Sequence, residues 1–87
     1  MNREAEAAFL RSLGKRVRLL RRVRELTQDE LAEAAGMSRS FVSLIEKGSH
    51  GVDAVRLLRL ADALNVSLPE LLDLGGPEAD RVEGLPS

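Results

Sequence analysis

The chain has 87 residues, no cysteine, a single histidine and a formal net charge of −1. That length allows one domain with a small core, and the lack of cysteine excludes a disulfide framework and a thiolate metal site. No apolar run approaches the roughly 18 residues of a membrane span, and "MNREAEAAF" lacks the layout of a secretory signal, so a cytoplasmic protein without a membrane partner is expected.

Helical periodicity predicts a first helix from about Glu4 to Arg24, with Leu13, Val17 and Leu20 as its buried stripe. At about 100° per residue, Arg11, Lys15, Arg18 and Arg22 fall on the opposite face, while Arg16 and Arg21 flank the core. A solvated face accounts for Arg11 and Lys15. Thr27 followed by Glu30 is a capping box that starts a second helix at Gln28. Leu31, Ala32 and Ala35 form its buried face, and Gly36 stops it in left-handed geometry. Ala32 is small enough for another helix backbone to pass close by.

Ser38 is positioned to cap a third helix, Arg39 to Lys47, which Gly48 ends. Val42 and Ile45 face inward, with Phe41 at the edge. After the loop "SHGV", Asp53 caps a fourth helix carrying Val55, Leu57, Leu58, Leu60, Ala61 and Leu64, which Asn65 can close. Ser67 and Glu70 form a second capping box, with Pro69 tolerated in the first turn of a fifth helix that reaches about Leu74. Residues 1–8 extend the first helix, 9–74 form the domain, and 75–87 read as an acidic, loosely ordered tail. The fold class is all-α, without strands or internal repeats.

Charge is unevenly spread. Residues 9–27 carry +6, residues 28–48 carry −2, and residues 49–87 carry −4, so a near-zero total conceals a polarised molecule. Catalysis has little to draw on: His50 is the sole histidine, there is no tyrosine, and no serine has a base nearby in sequence. No enzyme activity, metal or cofactor is expected.

The second and third helices, joined by a tight glycine turn, form a helix-turn-helix. Counting from Gln28, the fifth position is Ala32, the ninth Gly36, the fifteenth Val42 and the eighteenth Ile45. These supply a small residue at the crossing, a turn, and two apolar side chains that seat one helix on the other. "LTQDELAEAAGMS", "SFVSLIEKG" and "LADALNVSLPELL", within residues 13–72, resemble the Xre/Cro/C1-type helix-turn-helix domain of bacterial and phage regulators, a five-helix lambda-repressor-like fold. The resemblance covers about two-thirds of the chain.

This resemblance implies that the third helix enters the DNA major groove while the second lies across its mouth. Arg39, Ser40, Ser43 and Leu44 then occupy base-reading positions, with Arg39 suited to a bidentate pair with guanine. Leu44 fits a thymine methyl or, equally, partial burial in the protein. Gln28, Ser38, Phe41, Lys47, Ser49 and His50 match phosphate-contacting positions, although a plain surface loop explains Ser49 and His50 as well. Phe41 stands where many relatives carry tyrosine, and "GVDAV" replaces a proline–serine pair common before the fourth helix. Arg21 and Glu46 match an internal ion pair of the family. One recognition helix reads too few base pairs to select a genomic site, so a homodimer on a palindromic operator is expected. Leu68, Leu71, Leu72 and Leu74 are the candidate dimer contacts, and Ala7, Ala8 and Phe9 a second surface. Double-stranded DNA is the expected partner and transcriptional repression the expected function; an antitoxin that holds a toxin through the acidic tail is the alternative.

Overall fold

The computed structural model describes residues 2–74, and five helices make up their regular structure. Helix α1 runs Arg3–Val23, α2 Gln28–Ala35, α3 Arg39–Lys47, α4 Ala54–Ala63 and α5 Leu68–Leu71. Every helix starts on a side-chain cap. Asn2, Thr27, Ser38, Asp53 and Ser67 each accept a hydrogen bond from the backbone three residues on, satisfying an N–H that the helix cannot. The boxes Thr27–Glu30 and Ser67–Glu70 are reciprocal, since each glutamate accepts from its cap residue's N–H at 2.8 Å.

The core draws on all five helices: Leu13 and Val17 from α1, Leu31, Ala32 and Ala35 from α2, Val42 and Ile45 from α3, Leu60 and Ala61 from α4, and Leu71 from α5, with Leu64 just beyond α4. Leu20 packs against it half-buried. Full burial of side chains the size of Val17 or Leu60 contributes about 1.5–3 kcal/mol each. Gly36 ends α2 at φ +70°, and its N–H donates back to Ala32 and Glu33. Asn65, at φ 59°, turns the chain after α4.

Two glycines set the seat of α3. A Cβ at Gly14, inside α1, would lie 2.5 Å from the Ile45 carbonyl oxygen and 2.6 Å from that of Glu46. At Gly48, φ is +73° and a Cβ would lie 2.8 Å from Arg11 Cα. Backbone therefore meets backbone where α1 crosses the end of α3.

The structure departs from the sequence expectations in two places. Helix α5 stops at Leu71 rather than Leu74. In a continuing helix the Glu70 carbonyl would accept from Leu74; here it accepts from the Asp73 N–H at 3.3 Å and from Arg16, which reaches across from α1 and donates through Nε at 3.0 Å and Nη2 at 2.7 Å. Leu71 is fully buried in the monomer core, so it leaves the set of candidate dimer contacts; Leu68, Leu72 and Leu74 remain half-buried. Helix α4 carries the expected apolar residues but does not bury them all: Leu60 and Ala61 turn to the core, and Val55 and Leu58 are 60% and 58% exposed. The acidic segment 75–87 lies outside the described residues. Among those residues no helix is long and apolar enough to cross a membrane.

Candidate nucleic-acid interface

Helix α3 buries Val42, Ile45 and Glu46 and turns its other face outward. Arg39, Ser40, Leu44 and Lys47 are exposed and Ser43 is half-buried. Together with Gln28, at the start of α2, these five residues line one shallow groove. The helix-turn-helix geometry thus gathers the four expected base-reading residues and two of the expected phosphate contacts into one surface. Arg39 Nε lies 3.7 Å from Asp29 on α2, both side chains well exposed. Such a pair is weak enough to exchange for a base edge.

One flank of this groove is a buried charge cluster. The Glu46 side chain is fully buried, and both carboxylate oxygens accept from Arg21, Oε2 from Nε at 2.6 Å and Oε1 from Nη2 at 3.0 Å. Arg21 also donates through Nη1 to the Leu26 carbonyl at 2.9 Å. Gln28 Nε2 donates to Glu46 Oε1 at 3.1 Å, and Arg18 Nε sits 3.5 Å from the same oxygen. Burial pushes the Glu46 carboxyl up, but hydrogen bonds from Arg21, Gln28 and Arg18, with the charge of Arg21, outweigh it and hold the group below its ordinary range. Hydrogen bonding to Glu46 raises Arg21 in turn, against the opposing effect of burial. Gln28 is therefore not a free phosphate ligand: one amide N–H is committed to Glu46, leaving the second N–H for an outside partner.

The other flank is exposed and aromatic. Phe41 is half-buried, and the His50 ring meets it edge-on with centroids 5.1 Å apart. His50 Nδ1 donates to the Gly51 carbonyl at 2.8 Å, which fixes its tautomer when neutral. The Arg56 guanidinium, from the first turn of α4, lies 5.1 Å above the Phe41 ring and also pairs with Asp53. Asp53 is held below the usual carboxylate range by the Arg56 backbone N–H and then by its side chain. Ser38 accepts from the Phe41 N–H at 3.1 Å. Ser49 is exposed and donates its N–H to Leu44.

Sequence reasoning missed three participants. Gly14 had a signal, since glycine inside a helix costs about 1 kcal/mol against alanine and implies a close approach. Arg18 had a weaker one, the three-residue spacing from Arg21. Arg56 had none, because nothing in the sequence brings α4 beside the Phe41 ring. Of the second dimer surface, Phe9 is 43% exposed and joins Leu10 and Val52 in an apolar cleft.

Known proteins share this fold. A family profile described as "Helix-turn-helix domain" matches residues 12–74. The control protein C.SmaI of Serratia marcescens is 38% identical over 64 residues, 74% of this chain and 76% of that protein. The immunity repressor of Bacillus phage phi105 is 33% identical over 61 residues, 70% of this chain but 42% of the longer repressor. Among solved structures, the restriction-modification controller protein C.AhdI of Aeromonas hydrophila superposes with a TM-score of 0.72 at 41% identity, covering 74% of this chain and 97% of that one. The clp gene regulator ClgR of Corynebacterium glutamicum gives 0.76 at 28% identity, covering 87% and 82%. The match over residues 12–74, together with a helix pair that turns a polar recognition face outward, places this chain among the DNA-binding helix-turn-helix transcriptional regulators of the Xre/Cro/C1 type.

Proposed function

We propose that the protein is a repressor that binds a palindromic operator as a homodimer, with α3 in the major groove. The observation that carries this reading is the groove of Gln28 on α2 with Arg39, Ser40, Ser43, Leu44 and Lys47 on α3, a largely polar surface opposite the face by which Val42 and Ile45 seat α3 in the core. Arg39 pairs with a guanine, the serines meet bases or phosphates, and Gln28, Ser38, Lys47, Ser49 and His50 hold the backbone. Occupancy of an operator overlapping a promoter then blocks polymerase.

The second copy docks on the shallow apolar cleft between α4 and α5. Val55, Leu58, Val66 and Leu68 line it, and Arg59 and Asp62 lie alongside. A two-fold contact is self-complementary, so Arg59 of one copy can face Asp62 of the other. Exposed valine and leucine at Val55 and Leu58 support this surface over one made of helix-five leucines alone. Half-sites would then lie about one helical turn apart, ~34 Å. The antitoxin alternative depends on residues 75–87, which lie outside the described residues, and no observation favours it.

Selection of bound duplexes from a random pool, with wild type and Arg39→Ala in parallel, tests the reading. The expected result is a palindromic consensus in which the variant loses preference at one symmetric position, a loss of about 1–3 kcal/mol of discrimination per contact. No enrichment by the wild type would sink it. A non-palindromic consensus would remove the homodimer and leave sequence-specific binding standing.

A further inference from the structure

The outward face of α3 has two borders, and a helix lying in the major groove has a phosphate backbone beside each of them. The groove is about 12 Å wide, close to the diameter of a helix with its side chains. At about 100° per residue, Glu46 lies beyond Arg39 on one border and Phe41 beyond Ser40 and Leu44 on the other. Gln28 and Arg18 gather at the Glu46 border. At the Phe41 border the aromatic side chain has no polar atom to offer a phosphate.

Arg56 supplies what Phe41 lacks. Its guanidinium lies 5.1 Å above the ring, one edge turned to the Asp53 carboxylate, and the side chain is 47% exposed. A guanidinium has five N–H donors in a rigid fork, so pairing with Asp53 leaves donors open. Stacking on the ring restricts the side chain before any ligand arrives, which lowers the entropic cost of using it. His50 packs against the same ring from the loop after α3, so two nitrogen-bearing side chains converge on this border.

We infer that Arg56, seated on Phe41, is a DNA phosphate contact on the strand opposite the one that Gln28 faces. The inference rests on the DNA-binding reading and assigns Phe41 a positioning role, holding the contact without making it. Asp53 opposes it twice, by pairing with Arg56 and by repelling phosphate.

Affinity for the selected duplex, measured across a series of KCl concentrations, tests the assignment. Arg56→Ala is expected to weaken binding about tenfold per half-site. The log–log salt slope should become shallower by about one per half-site, with sequence preference unchanged. Asp53→Asn keeps the helix cap and removes the competing carboxylate, so it should bind more tightly than wild type and so reads the same contact should Arg56→Ala fold poorly. Wild-type affinity and slope in Arg56→Ala, or binding by Asp53→Asn no tighter than wild type, would overturn the assignment while leaving the DNA-binding reading intact. A wild-type protein that binds no duplex would bring down both, and that outcome is read on the wild type alone.

Discussion

The two borders of the recognition helix are built from opposite materials. At one, a fully buried carboxylate takes hydrogen bonds from Arg21 and Gln28 and has Arg18 at 3.5 Å. At the other, an aromatic ring, a histidine and an arginine meet at the surface, held by ring contacts and an exposed pair. The buried border fixes where α3 sits, because every atom of its charge is satisfied and none can be withdrawn cheaply. The exposed border leaves a cation near α3 whose partner can be exchanged. A DNA-reading helix needs both, a rigid seat and charge that can change partners.

Breaking the buried border should have the largest effect. Glu46→Gln keeps the shape but leaves the Arg21 guanidinium, 12% exposed, without its counter-charge. Removing one member of a buried pair costs about 3–5 kcal/mol, a large part of the stability of so small a domain. Urea denaturation should show the loss as a lower midpoint with an unchanged slope.

Gly14→Ala attacks the same border through the backbone and should rank second. The new Cβ would sit 2.5 Å from the Ile45 oxygen and 2.6 Å from that of Glu46, with no flexible side chain to move aside. Overpacking of this kind costs about 1–3 kcal/mol, against which the helical preference of alanine returns up to about 1. Because the displaced group is α3 itself, duplex affinity should fall along with thermal stability. A variant as stable as wild type would mean that α1 and α3 can separate freely, and the seat would not be rigid.

How much of this was legible in the sequence follows the range of the forces involved. Caps and turns are local chemistry, so Thr27 with Glu30, Gly36, Ser38, Gly48 and Asp53 could be read directly and stand in the structure as read. Helix periodicity found the core faces of α1 to α3, and the family resemblance pointed to the pairing of Arg21 with Glu46. Periodicity did not divide the faces of α4, where Val55 and Leu58 fit a helical apolar pattern and face outward, because a helix so rich in leucine does not declare which of its faces is covered. The carbonyl at the early end of α5 accepts from Arg16, 54 residues away in sequence, and the approach of Arg56 to Phe41 depends on how α4 packs. Both are tertiary facts without a local signal.

Acid should separate the borders more gently. The Glu46 carboxyl titrates below its unfolded value, so its contribution is complete above the unfolded range near pH 4.3 and is lost as pH falls through the lower folded value. Asp53 and Glu70 are also held low and lose stability in the same direction. Comparison with Glu46→Gln isolates the buried group: the stability gap between the two proteins should be constant from pH 7 to about 5 and narrow below about 4. A gap unchanged down to full acid denaturation would show that the carboxylate charge is not what the variant lost.

The smallest expected effect lies at the exposed border. Phe41→Leu removes the ring beneath Arg56 and the edge contact from His50 while keeping an apolar side chain at the margin of the core. A cation over an aromatic face at an exposed site contributes about 0.5–1 kcal/mol, so a double-mutant cycle of Phe41→Leu with Arg56→Ala should give a coupling of that size in urea denaturation. The same cycle read in DNA affinity discriminates further. If the ring positions Arg56 for phosphate, Phe41→Leu weakens binding in the Arg56 background and changes it little once Arg56 is alanine. Coupling in stability without coupling in affinity would make the stack a feature of the fold alone, and the two borders of α3 would then differ in burial but not in purpose.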